Sequence, residues 1–182
     1  SVPSRAERLA ELLGGDQVWK PEDVVSLQGD VTSVPARRWA EYVAALPVTA
    51  GDAEQARQLL AGWDGELSSL NPQGLLYTCL RDTLIEQIYR PILGDDTWNW
   101  IQLPVNASAK GIISRWFYGI GQTIEDINQS QTPDGRAMGD ILVSSLEIAW
   151  ASATRVGGPD SGLWKWGDFH RTDAKHTLTP LL

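Results

Sequence analysis

The stretch Gly74-Leu75-Leu76-Tyr77-Thr78-Cys79-Leu80-Arg81-Asp82-Thr83-Leu84-Ile85-Glu86-Gln87-Ile88-Tyr89 places a large apolar residue at every fourth position, at Leu76, Leu80, Leu84 and Ile88. That spacing puts the four side chains on one face of an α-helix, whereas a half-buried strand would alternate. Pro91 and Gly94 are expected to close this helix. Downstream, Ala109, Ile112, Ile113, Trp116, Ile120, Ile124 and Ile127 give the clearest helical period in the chain. After the turn residues Pro133-Asp134-Gly135, a last long helix is marked by Met138, Ile141, Leu142, Ser145, Ile148 and Ala149, ending near Gly157-Gly158-Pro159. Between these helices, Asp95 to Pro104 reads as an aromatic, turn-like stretch whose Trp98, Trp100 and Leu103 anchor a loop on the core.

Upstream the period is also helical. Ser4 is placed to cap a helix with the stripe Ala6, Leu9, Ala10 and Leu13, stopped by Gly14-Gly15. Pro21, followed by Glu22 and Asp23, suits a second helix start, with Val24, Val25, Gln28 and Val31 on one face. Pro35 should break the chain before a third segment bearing Trp39, Tyr42, Val43 and Leu46. A fourth helix starts at Gly51-Asp52 and ends near Gly62-Trp63-Asp64-Gly65. From Leu163 to Leu182 there is little period. The fold class is therefore all-α: an irregular multi-helix bundle, a single helical domain over residues 1–182, with a loop-like C-terminal tail.

The 182 residues carry 15 basic and 23 acidic side chains, a formal charge of −8, without a basic cluster, which disfavours nucleic acid and anionic membrane as partners. No apolar run approaches the roughly 18 residues of a membrane span. The single Cys79 excludes an internal disulfide and a cysteine-based zinc site. The nine tryptophans admit two readings: large side chains filling a core at helix crossings, or an aromatic ligand groove. The first is favoured, because interior aromatics outnumber binding ones.

No complete active site follows from residue chemistry. His170 and His176 are six apart, which does not match the helical metal-pair spacing of three or four. Asp168 and Asp173 could join them, but Arg171 and Lys175 interleave, and cations disfavour a metal. Both histidines are expected to hydrogen-bond to backbone and dock the tail. There is no Gly-x-Ser-x-Gly elbow, and the glycine pairs lack the Gly-Lys-Ser/Thr of a phosphate loop. Asp95-Asp96 and Asp64/Glu66 read as solvated loop carboxylates. Asn106-Ala107-Ser108 and Asn128-Gln129-Ser130 match the glycosylation pattern, which often arises by chance.

Three stretches together resemble the penicillin acylase (penicillin amidase) family of N-terminal-nucleophile hydrolases. The first is Arg5-Ala6-Glu7-Arg8-Leu9-Ala10-Glu11-Leu12-Leu13, followed by Lys20-Pro21-Glu22-Asp23 and Leu27-Gln28-Gly29-Asp30-Val31. The second is Leu59-Leu60-Ala61-Gly62-Trp63-Asp64-Gly65. The third is Trp164-Lys165-Trp166-Gly167-Asp168-Phe169-His170 with His176 after it. The resemblance implies a helical part of the family's large β subunit, a fragment of an enzyme that cleaves linear amides with a serine freed at the subunit's N-terminus. There the serine's own α-amine is the base, and an asparagine with a backbone N–H holds the oxyanion.

Ser1 is not expected to be that serine, since Val2-Pro3 and a helix follow it in place of the family's asparagine and strand-rich core. On this reading no catalytic residue and no metal ligand lies in the chain, and any calcium belongs to parts of the parent outside it. Arg5 matches the arginine that supports the oxyanion asparagine, a role suited to a fixed, permanently charged fork, although a solvated first-turn arginine is the alternative. The implied partners are the β-subunit core, the α subunit and an acyl-amide substrate; the implied location is periplasmic or secreted. Two other functions compete: a stand-alone helical binding module with an aromatic-rich surface, and a self-contained serine hydrolase using His170 or His176.

Overall fold

The computed structural model describes residues 4–16, 18–103 and 107–170. Among them are nine α-helices: α1 (Ser4–Leu13), α2 (Pro21–Gln28), α3 (Val34–Ala44), α4 (Gly51–Leu60), α5 (Pro72–Leu93), α6 (Asp95–Gln102), α7 (Ala107–Thr123), α8 (Met138–Gly157) and α9 (Trp166–Phe169). No β-strand occurs among the described residues beyond two isolated bridges, and none of their helices is long and apolar enough to cross a membrane.

α5 is the central helix. Asn71 starts it by accepting the Gln73 N–H at 2.9 Å, and Pro72 fills the first-turn position where its missing N–H costs nothing. Leu76, Leu80, Leu84 and Ile88 are all essentially fully buried, as the four-residue repeat requires. They pack on α8, whose Leu142, Leu146, Ala149 and Ala153 are equally buried; α8 also covers α4. On the other side α3 packs on α7, where Trp39 stacks on Phe117 at a centroid distance of 4.9 Å. The Tyr42 hydroxyl donates to the Ile124 carbonyl just beyond α7, at 2.5 Å.

Tryptophans and glycines interlock. Trp39, Trp63, Trp98, Trp150 and Trp164 are buried, so most of the indoles fill core, while Trp100 and Trp116 are more than half exposed. Gly121 lies under the Trp39 indole and Gly74 under Trp166: a Cβ there would sit 2.9 Å from Trp39 Nε1 and 2.8 Å from Trp166 Cγ. Gly157 bears against Trp164 more closely still. Trp164 then donates its N–H to the Gly158 carbonyl at 2.8 Å.

Four local expectations are corrected. Pro91 does not close α5 but sits in its last turn, and the helix ends at Gly94, φ 76°. The Gln87 carbonyl, which loses its i+4 donor at the proline, accepts instead from the Arg136 guanidinium at 2.9 Å. The turn-like stretch after it is the helix α6, with acidic Asp95 and Asp96 in its first turn and Trp98 and Ile101 inward; Trp100 and Leu103 point to solvent. The apolar stripes read for α1 and α2 are not buried, and Val24, Val25 and Val31 are exposed. Finally, the tail through His170 is docked by Trp164 and Trp166, with a 3-10 turn at Ser161–Leu163 and the short α9; positions 171–182, His176 included, lie outside the described residues.

Candidate functional site

α1 buries no side chain and is held by charge instead. The Arg8 guanidinium donates to both oxygens of Asp30, 3.1 Å from Nε and 2.9 Å from Nη2, and through Nη1 to Glu11 at 3.0 Å. Glu11 also pairs with Arg37, and Glu7 with Arg38, so two residues of α3 grip α1. The forked geometry suits guanidinium and carboxylate. The Arg8 hydrogen bonds hold the Asp30 carboxyl below its ordinary range, and those of Arg37 and then Arg8 do the same for Glu11.

Between α1 and the body of the protein lies a cleft of about 390 Å³. Arg5, Arg8, Leu9 and Leu12 form its α1 side, the α2–α3 connection from Asp30 to Ser33 with Val34 and Pro35 of α3 forms its floor, and Leu67 and Tyr118 reach it from the body. The floor is pinned by the antiparallel bridge Thr32–Glu66, with Ser33 N–H on the Gly65 carbonyl at 2.9 Å and Leu67 N–H on the Val31 carbonyl at 3.1 Å. Gly65 has φ 83°, and a Cβ there would meet the Ser33 carbonyl oxygen, so the bridge requires glycine.

Arg5 opens onto this cleft from an exposed position, and no ion pair links it to another described residue. Arg8, one turn on, is fully engaged. Among the described residues, the cleft therefore offers a guanidinium without an ion pair above a floor of mixed polar and apolar side chains, suited to orienting a carboxylate or amide oxygen. Among the described residues no histidine lines it, and the Ser33 hydroxyl is occupied as the cap of α3, accepting the Ala36 N–H at 3.3 Å.

Sequence reasoning assigned no role to Arg8 and Asp30, although both lie in the first resembling stretch. The Thr32–Glu66 bridge, one residue beyond the end of each, ties the second stretch to the first, and Trp63 of the second tilts against Tyr77 at 5.7 Å. The third docks on the start of α5, where Trp166 donates to the Thr78 hydroxyl at 3.2 Å. The His170 ring lies flat on Trp166, centroids 4.3 Å apart, so it is an exposed stacking partner. Ser1, Asn106 and His176 lie outside the described residues. Among the described residues no group of three or more His, Cys, Asp or Glu side chains is placed to hold a metal.

The family model for penicillin amidase matches residues 1–182. The chain belongs to the penicillin amidase family. Among its relatives is the acyl-homoserine lactone acylase QuiP of Pseudomonas syringae pv. tomato (strain ATCC BAA-871 / DC3000), 29% identical over 93% of this chain and 22% of that protein. QuiP of Pseudomonas fluorescens (strain Pf0-1) is 26% identical over 97% of this chain and 23% of its own length. The chain thus spans less than a quarter of the curated relatives it matches. This family membership agrees with the resemblance carried by the three stretches.

Proposed function

We propose that the longer protein to which this stretch belongs hydrolyses linear amide bonds of acyl compounds through an N-terminal serine outside this chain. In that proposal the helical region supports the acyl-binding side, and Arg5 orients the oxyanion-holding amide across the cleft. The observation that carries it is the family match over residues 1–182, joined to relatives named as acyl-homoserine lactone acylases. The uncommitted Arg5 guanidinium at the cleft is consistent with that role. Chemically, the serine's α-amine would take the hydroxyl proton, the hydroxyl would add to the amide carbonyl, and preorganised donors would hold the oxyanion. The amine leaves with a proton, and water releases the acyl group. The remainder of the β subunit and the α subunit are the partners in this reading, calcium is held by residues outside this chain, and the setting is periplasmic or secreted.

The first test is hydrolysis of a chromogenic acyl-anilide by the purified, cooperatively folded chain, with Ser1→Ala in parallel. No turnover is expected. Turnover abolished by Ser1→Ala would place the nucleophile in this chain, and turnover that survives it would point to the histidines. In the longer protein, Arg5→Lys is expected to lower kcat about ten- to a hundredfold, less than loss of a direct oxyanion donor, with unfolding unchanged.

A further inference from the structure

A second groove, of about 350 Å³, lies between α5, α6 and α7, away from α1. Its floor is Ile85, Trp98, Ile101 and Ile113, each less than one-tenth exposed. Its rim is charged, but most of the charge is spent. The Arg81 guanidinium donates twice to Asp82, at 3.0 and 2.9 Å, and Glu86 is paired with Arg90 at 2.7 Å. Lys110 also stands on the rim, exposed, and its ammonium has no ion pair among the described residues. The flanks of α6 and α7 carry further apolar surface at Trp100, Leu103, Ile112 and Trp116.

An apolar floor with one uncommitted cation at its edge selects a ligand by both features. A small polar anion would leave the isoleucines wet, and a neutral alkane would leave the ammonium without a gain. The volume is at the small end for small-molecule sites. We propose that this groove binds anionic amphiphiles, a medium-length acyl chain lying on Ile85, Trp98, Ile101 and Ile113 with its carboxylate against the Lys110 ammonium. This is binding without chemistry, and it does not depend on the hydrolytic reading.

The test titrates octanoate and octylammonium, each below its self-association concentration, into the isotope-labelled chain and follows the Trp98 indole and Lys110 amide resonances. Octanoate is expected to give saturable shifts at both, and octylammonium to bind about tenfold more weakly or worse, as loss of one charge-assisted hydrogen bond implies. Lys110→Gln should weaken octanoate by a similar factor with thermal unfolding unchanged, and Lys110→Glu should reverse the preference. Equal affinity for the two amphiphiles would overturn the proposal. So would octanoate binding indifferent to Lys110→Gln, shifts confined to Trp100 and Trp116, or no saturation.

Discussion

At the scale of single residues, the glycines beneath the indoles are fixed by volume. Gly157 carries no side chain because the Trp164 ring occupies that space, and Trp164 is itself buried against Trp150 at 5.0 Å. Gly157→Ala should therefore destabilise the fold by about 1–3 kcal/mol, as overpacking does, measured by denaturant unfolding. Gly111, inside α7, faces open space, so Gly111→Ala should instead stabilise by about 0.5–1 kcal/mol through helix propensity. Opposite signs for one substitution in two helices separate packing from backbone entropy. Cys79 illustrates burial acting on chemistry: desolvation pushes its thiol up to about 11, so at neutral pH it is a packing group rather than a nucleophile.

At the scale of elements, α5 and α1 are held by opposite means. The last turn of α5 survives Pro91 because Arg136 reaches across from the turn before α8 to the Gln87 and Ile88 carbonyls. Arg136→Ala should cost about 1–2 kcal/mol, and less in a Pro91→Ala background, where the backbone regains its own donor. A double-mutant cycle by thermal unfolding measures that coupling. α1 rests on ion pairs whose carboxylates, Asp30 and Glu11, are held below their ordinary range. A depressed folded pKa contributes stability above the unfolded value of about 4, lost as pH falls through the folded one. Hydrogen exchange should thus show α1 amides losing protection below about pH 4, and also in 1 M salt, where screening acts over about 3 Å, while α5 and α8 hold.

The same contrast explains what the sequence revealed. The Leu76 to Ile88 repeat was legible because burial and helical period coincide there. α1 and α2 were found as helices, but their inward faces were misread: Arg8 to Asp30 is a contact across 22 positions, invisible to local pattern. The aromatic content of Asp95 to Gln102 hid a helix whose acidic first turn and Trp98/Ile101 spacing were present all along. Arg5 was reached through the resemblance, not through its own chemistry, and the cleft it opens on exists only in the fold.

For the molecule as a whole, burial is uneven. The core begins at Val34, and large apolar side chains are exposed on several elements, among them Trp100, Leu103, Ile112 and Trp116 on and beside α6 and α7. Exposed apolar area beyond the scattered single side chains of a monomer surface marks a surface made for contact. The isolated chain should bind a hydrophobic dye and self-associate at high concentration, and Trp116→Glu should reduce both without lowering the unfolding midpoint; unchanged dye binding would assign it elsewhere. The sparse attachment of α1 bears on selection. A helix that contributes nothing to the core is free to drift in sequence as far as folding is concerned, provided its few charge pairs persist. Arg5 is in none of those pairs. A mutational scan scored twice, for abundance and for activity in the longer protein, should find position 5 tolerant in the first score and intolerant in the second.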